Sequence, residues 1–247
     1  QYEIHGGGQD LIFPHHEAEI AQQEAASSKK PFVKYWLHSG FVTINGQKMS
    51  KSLGNFITIK EILKNYSPEA LRFMVISAYY RSPIDYKEEL IKQSEAAVQR
   101  ISGLINKLEL VKSAGRRTGP KEKAGINEIV RNAKTEFENN LDDDFNTPRA
   151  LAVLFNFIRL INVFIDKNNL DKKSADEVLK FLKQIDLIFG IIPRKKSEIP
   201  EEIHRLVEKR EKLRKQKSWI ESDKIREEIN KFGYSVEDTP YGPLIKK

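Results

Sequence analysis

Between Tyr86 and Gly190 the chain repeats apolar residues at helical spacing. Leu90, Ala97, Ile101, Leu104 and Leu108 form one set, Ile126, Ile129, Ala133 and Phe137 a second, and Leu151, Leu154, Phe155, Ile158 and Ile161 a third. Each set lines one helix face, so residues 87–190 are predicted to be a helix bundle whose apolar stripes are core. Ser113 to Pro120 separates the first two helices by its loop composition. A fourth helix is expected to start at Ser174, with Glu177 as its capping partner, and to stop at Gly190. The pattern ahead of the bundle is different. Tyr2-Glu3-Ile4 reads as the end of a buried strand feeding a glycine loop, residues 15–26 as a helix, and residues 33–38 and 41–44 as extended segments, the last closed by the turn pair Asn45-Gly46. Thr58 with Glu61 and Ser67 with Pro68 are helix start signals, giving two short helices within residues 57–86. Beyond Ile199 come a basic helix, a second helix carrying Ile225, Ile229 and Phe232, and short extended pieces at 234–236 and 244–245. The fold class is α/β followed by α, with a small α/β unit at the carboxy end.

Composition narrows the class of protein. The 247 residues are 39% apolar, enough to fill the cores of two or three small domains. No apolar run is read as approaching the roughly eighteen residues of a membrane span, and no signal peptide is legible at the start, so no membrane partner and a cytoplasmic location are expected. Cysteine is absent, so any zinc site must use His and carboxylate or borrow thiolates from other sequence. The chain begins with Gln1 inside a functional motif, and is read as the carboxy-terminal part of a longer protein. A monomer is expected. Net charge is +7, and residues 191–217 hold ten Lys or Arg against five Asp or Glu. Such a segment attracts polyanions and fits nucleic acid, with Arg210, Arg214, Lys215 and Lys217 as candidate RNA contacts; charged helix faces are also commonly just solvated. Trp219, Tyr234 and Tyr241 stand among these cations and could stack bases, although for Trp219 a place in the small core is the expectation.

Candidate chemistry concentrates near the start. In Ile4-His5-Gly6-Gly7-Gly8-Gln9-Asp10 the glycines remove every side chain from one stretch, so that a ligand could lie against backbone amides beside the Asp10 carboxylate. Alone, such a run is usually only a turn. Pro14 then opens the helix, with His15 and Glu19 four apart on one face, an arrangement that suits zinc and is otherwise a solvated pair. After the Asn45-Gly46 turn, Lys48-Met49-Ser50-Lys51-Ser52-Leu53-Gly54-Asn55 places two lysines three apart in a loop able to close over a polyphosphate.

The order of those residues carries a resemblance. Lys48 to Ser52 matches the second signature of class I aminoacyl-tRNA synthetases, and His5 to Glu19 is similar to the zinc and nucleotide segment of the cysteinyl-tRNA synthetase family. Tyr35 to Val42, Tyr80-Arg81-Ser82-Pro83 and Leu141 to Pro148 also resemble that family, so the likeness spans nearly the whole chain; Ala18 and Tyr80 depart from its usual residues. The resemblance implies the carboxy-terminal part of a Rossmann-like class I catalytic domain over residues 1–56, a helical connector over 57–86, an anticodon-binding helix bundle over 87–190 and a basic α/β tRNA-binding unit over 191–247.

It also implies a reaction: ATP-dependent activation of L-cysteine to cysteinyl-adenylate, then transfer to the 3′ end of tRNA-Cys. Lys51 and Lys48 would neutralise phosphate charge; Gly6, Gly7, Gly8 and Asp10 would hold the adenylate, and the Val42 backbone the adenine. His5 and His38 would line the same pocket. ATP would enter with Mg2+, and Zn2+ would be held by His15 and Glu19 together with family cysteines that lie upstream of Gln1. With two ligands, the chain alone is expected to hold zinc poorly and to make no adenylate. The alternatives are a ligase joining cysteine to an amino-sugar inositol, which has no tRNA to read, and a non-catalytic tRNA-binding module. The run Asp142-Asp143-Asp144 invites a magnesium reading, but it precedes Asn146-Thr147-Pro148, where a helix dipole favours acids, and is read as structural.

Overall fold

The computed structural model describes residues 1–50, 53–114, 123–193 and 199–246, with side chains for all of these but 123 and 124. Lys51 and Ser52 of the lysine-rich loop, most of the loop after Ser113 and the 194–198 part of the basic segment lie outside the described residues. The chain divides into two compact units, Gln1–Ala96 with Phe137–Ala152, and Ala97–Glu136 with Val153–Lys247.

In the first unit β1 (Tyr2–Gly8) and β2 (Val33–Ser39) form a parallel pair joined through α1 (Glu17–Ser27). The three glycines belong to the strand, not to a loop after it: Gly6, Gly7 and Gly8 stand opposite Leu37, His38 and Ser39 of β2, and with a partner strand on one side only, alternate amides face it. The helix begins later than expected, at Glu17, after a wider turn over Ile12–His16. β3 (Val42–Ile44) and β4 (Gln47–Lys48) make a hairpin whose two turn residues, Asn45 and Gly46, have φ of 52° and 77°, the left-handed pair that matches hairpin twist. β5 (Ile84–Tyr86) runs parallel to β3 on its other side, giving the order β4-β3-β5.

Both start signals of the connector act as read. Ahead of α2 (Ile59–Ile62), Thr58 and Glu61 close a reciprocal capping box, and ahead of α3 (Pro68–Ile76) the Ser67 side chain accepts from the Ala70 amide. Ile62, Ala70 and Met74 bury against Ile91 at the start of α4 (Glu88–Ser113). It is Ile91, fully buried, and not Leu90, 39% exposed, that opens the α4 stripe. The short helices and β5 draw the inward face one residue round from the position that periodicity alone selects.

Helices α5 (Lys123–Asp142) and α6 (Thr147–Asp166) bury Ile126, Ala133, Phe137, Leu151, Leu154, Ile158 and Ile161. By length and composition α6 would pass for a membrane span, against the expectation from the sequence. Its buried residues recur at helical spacing and Arg149 and Arg159 interrupt it, as in the core helix of a bundle. α7 (Lys172–Phe189) is capped by Asp171, whose carboxylate accepts from the Ser174 amide 2.8 Å away; Ser174 is thus inside the helix. Gly190 ends it in the left-handed conformation, φ 60°. In the second unit Phe157 meets Phe181 edge-to-face at 5.1 Å. Further on, α8 (Glu201–Lys215), α9 (Trp219–Lys231) and the antiparallel pair β6 (Ser235–Thr239) and β7 (Gly242–Lys246) close on Ile203, Val207, Ile225, Ile229, Tyr234 and Val236. Fully burying a side chain such as Ile203 or Ile229 is worth about 1.5–3 kcal/mol, so this small core has real holding power. Phe232, at the end of α9, is 49% exposed.

Candidate active site

The register of β1 on β2 builds the site. His5 pairs with Trp36 and Gly7 with His38; side chains alternate along a strand, so His5, Trp36 and His38 share one face of the pair, with a gap over Gly7. The His16 ring fills that gap. A Cβ on Gly7 would stand 2.8 Å from its Cε1 and 2.9 Å from a Leu11 methyl, so only glycine admits the ring. His16 is 3% exposed, lies edge-on to His5 with centroids 5.0 Å apart, and rests 4.8 Å from the Trp36 ring. Its Nδ1 is 2.8 Å from His38 Nε2, so one of these nitrogens carries the hydrogen and the other accepts it. Burial, and then the neighbouring His38 and His5, hold the His16 pKa below the ordinary histidine value, which keeps the ring neutral.

Glu19 reaches this box from α1. Its two oxygens lie 3.4 Å from His5 Nε2 and 3.4 Å from His15 Nε2. Oε2 is buried and accepts no hydrogen bond from the described residues, an orphaned acceptor facing imidazoles. Ligand atoms of His5, His16 and Glu19 all fall within 4.8 Å of one another. The expected pair, His15 and Glu19, is therefore joined by two nitrogens, with His15 on the exposed flank. This donor set fits zinc, which takes neutral imidazole and carboxylate. His16 was the residue missed from sequence, and its only signal was being the second of two adjacent histidines.

The nucleotide candidates come from the end of β1 and from the β4-β3-β5 sheet, both of which bond to residues 80 and 81 or their neighbours. Asp10 is exposed and folds back so that Oδ1 occupies the space a Gly8 Cβ would need, 2.5 Å away. Gln9, unremarked in the sequence, donates from Nε2 to the Arg81 carbonyl at 2.8 Å. Val42 is exposed, and its carbonyl accepts the Met49 amide at 3.3 Å. Lys48 is exposed on β4, with Nζ 4.8 Å above the Phe41 ring. Two carboxamide and carboxylate side chains hold this hairpin. Asp85 accepts from the Thr43 hydroxyl and the Gly46 amide, each at 2.8 Å, which with Lys87 keeps its pKa below the usual range. Asn55 accepts from the Ser50 amide at 2.9 Å and donates to the Lys48 carbonyl at 3.2 Å, tying together the two ends of the loop that contains Lys51.

The candidate RNA contacts separate into two kinds. Arg210 is fully buried and makes a two-pronged bond to Asp238, 2.7 and 2.8 Å, with Glu211 alongside. Its guanidinium belongs to the interior, which removes it from the RNA-facing set. Lys215 and Lys217 are exposed, and Arg214 lies 5.6 Å over the ring of Trp219. Trp219 itself is 53% exposed and Ile220 76%, so the indole is a surface group and not a core filler. Tyr234 takes the core place, and the Tyr241 hydroxyl bonds the Leu170 backbone.

Comparison with known proteins matches this layout in three consecutive stretches. Residues 1–96 match the model of the tRNA synthetases class I (C) catalytic domain, residues 136–193 the DALR domain, and residues 196–242 the cysteinyl-tRNA ligase anticodon binding domain. The chain is 45% identical to a cysteine–tRNA ligase of Caldicellulosiruptor saccharolyticus, over 99% of its own length and 52% of the relative's. It is 44% identical to that of Thermodesulfovibrio yellowstonii, over 97% and 52%, and 42% identical to that of Thermococcus onnurineus, over 100% and 53%. The chain thus spans about half the length of the curated relatives it matches. Its fold is similar to that of the agnB2 LeuRS of Agrobacterium radiobacter K84, solved as a ternary complex with tRNA and LeuAMS, with a TM-score of 0.62 at 16% identity over 76% of this chain and 26% of that one. Three matched domains in one order and relatives above 40% identity along the whole chain place it in the cysteine–tRNA ligase family of class I aminoacyl-tRNA synthetases.

Proposed function

We propose that this chain works as part of a cysteine–tRNA ligase, which joins L-cysteine to the 3′ end of tRNA-Cys at the expense of ATP. The cysteine carboxylate attacks the α-phosphorus and displaces pyrophosphate; a ribose hydroxyl of the tRNA then attacks the carbonyl and releases AMP. The observation that carries the reading is the imidazole–carboxylate cluster over Gly7, on the strand pair that leads directly into the Lys48 hairpin.

In this reading residues 1–56 supply the nucleotide and amino-acid side, residues 57–86 connect it, residues 87–190 form the anticodon-side bundle, and residues 191–247 meet RNA. Asp10 and the β1 end hold the ribose, the Val42 backbone meets the adenine, and Lys48 and Lys51 neutralise phosphate charge as it develops. His5, His15, His16 and Glu19 would hold zinc, whose preference for thiolate sulfur over a hydroxyl would separate cysteine from serine where size alone gives a modest factor. His38 fixes the His16 tautomer through their shared hydrogen bond, as a supporting residue of a ligand shell does. The anticodon-binding description of the match over residues 196–242 favours tRNA over a small amino-sugar as acceptor.

The test is cysteine-dependent exchange of pyrophosphate into ATP, followed by charging of tRNA-Cys, in the natural protein at full length. Exchange with cysteine and not serine is expected. Exchange independent of cysteine, or none, overturns the reading.

A further inference from the structure

Asp144 gathers an unusual number of donors for an exposed side chain. Its carboxylate accepts from the Tyr79 hydroxyl, from the Tyr80 hydroxyl at 2.8 Å, and from Arg81 through Nε at 2.7 Å and Nη2 at 3.1 Å. All four come from three successive residues, more than sixty positions earlier in the chain. Asp143 beside it is held more loosely among the described residues, with Arg149 at 3.8 Å and the Asn146 side-chain amide donating at 3.4 Å. The backbone explains the difference. Asp144 and Phe145 take φ of 51° and 55°, two consecutive left-handed residues that are not glycine and cost of order 1 kcal/mol each. That turn, between α5 and α6, directs the carboxylate onto residues 79–81, and Phe145 packs edge-on to Tyr80 at 6.4 Å. The grip lowers the Asp144 pKa well below the usual carboxylate range, chiefly through Arg81, and burial with the Asp144 bond raises Tyr80 to about 12.

The gripped segment is itself a wall of the candidate nucleotide site. The Tyr80 carbonyl accepts the Gly40 amide at 2.8 Å, the Arg81 carbonyl accepts Gln9 Nε2 at 2.8 Å, and the Ile84 amide donates to the Phe41 carbonyl at 2.8 Å. At Gly40 the approach is so close that a Cβ would lie 2.3 Å from the Ser82 carbonyl. Gln9 separates Gly8 from Asp10, and Gly40 and Phe41 lead into Val42. Both edges of that site therefore hang from one six-residue stretch, residues 79–84, and the side chains of Tyr79, Tyr80 and Arg81 end on one carboxylate.

We propose that Asp144 is a positioning residue for the nucleotide wall, setting the place of residues 79–84 and through them of Gln9, Gly40 and Val42. The proposal rests on the ligase reading only for what the wall binds. Asp144→Asn is the variant of choice, because asparagine tolerates the left-handed backbone and keeps the volume while removing the charge that holds Arg81. Amide hydrogen exchange should quicken about tenfold or more at Gly40 and Ile84, with the amides of Ala70, Met74 and Ile91 unchanged, the mark of a local opening. In pyrophosphate exchange by the natural full-length protein the KM for ATP should rise about tenfold, with kcat within about twofold and the KM for cysteine unchanged, since only nucleotide placement is disturbed. Tyr80→Phe, which removes one donor, should give a smaller shift in the same direction. Unchanged exchange at Gly40 and Ile84, or equal quickening at all five amides, overturns the proposal and leaves Asp144 a general stabiliser. If the wild-type protein shows no cysteine-dependent activity the ligase reading falls, and the amide measurement still decides the positioning role.

Discussion

His16 Nδ1 lies 2.8 Å from His38 Nε2, although the two residues come from different elements, one from the turn after β1 and the other from β2. What brings them together is the missing side chain at Gly7, so the glycine run is needed by the protein's own imidazole before any ligand arrives. Gly7→Ala should cost about 1–3 kcal/mol, because the new methyl meets the His16 ring and Leu11 inside normal contact distance and both must shift. Gly6→Ala should cost far less, its nearest neighbour being a Leu37 carbonyl at 3.6 Å. Denaturant unfolding of the two variants checks this, with Trp36 fluorescence reporting whether the box has moved. Equal effects would mean that the ring does not depend on the gap.

The same contrast shows what sequence can and cannot carry. Short-range signals were legible: the Thr58–Glu61 box, the Ser67–Pro68 start, the Asn45-Gly46 hairpin and the Gly190 stop all act through residues within four positions of one another. The signature around Lys48 was legible by the order of its residues. Failures came where a partner is distant. Asp144 was read as a helix-dipole acid, yet its donors sit at 79–81. Arg210 looked like any other cation of a basic helix until Asp238 folded over it. Periodicity placed the α4 stripe on Leu90 because the pattern cannot sense that α2 and α3 arrive against Ile91.

Zinc should bind this chain weakly. Ligands of a tetrahedral zinc at about 2.0–2.1 Å stand about 3.4 Å from one another; Glu19 already keeps that distance from His5 and from His15, whereas with His16 included the donor atoms lie only within 4.8 Å of one another. Closing them compresses a packed box. Glu19 faces both His5 and His15, so Glu19→Gln should weaken zinc binding by more than about tenfold, and His15→Ala by less, since His15 is on the flank. Competition against a chelator of known affinity measures both. Tight one-to-one binding by the wild-type chain would show the set already close to complete.

The Arg210–Asp238 pair makes acid stability predictable. Arg210 first, opposed by burial, holds the Asp238 pKa below the ordinary carboxylate value. A depressed acid contributes stability that is fully present above its unfolded pKa, about 4, and is lost as pH falls through the folded value. The amides of α8 and β6 should therefore lose protection as pH falls below about 4, and Asp238→Asn should flatten that loss. Arg210→Ala should cost about 2–3 kcal/mol at neutral pH, less than for a wholly buried pair because Asp238 is 40% exposed. No pH dependence beyond that of Asp238→Asn would assign the acid limb to other groups.

RNA binding by the basic segment should divide along the line the structure draws. Lys215 and Lys217 are exposed and unconstrained by the small core, so each replaced by Ala should lower the slope of log affinity against log salt by about 0.7–0.9. Trp219 stands out from α9 with Arg214 over its ring. An exposed indole backed by a guanidinium is a stacking platform for an unpaired base, and Trp219→Ala should cost about 1–3 kcal/mol of tRNA affinity with the salt slope unchanged. Arg210→Ala belongs to neither group: it should lower the stability of the α8–α9 unit and spare the slope, because a buried guanidinium releases no counterion on binding. Titrations with tRNA-Cys at several salt concentrations, beside a tRNA of altered anticodon, separate the three. If Trp219→Ala lowers the salt slope or leaves affinity untouched, its exposure has another reason, and the anticodon side must be read by groups elsewhere on the chain.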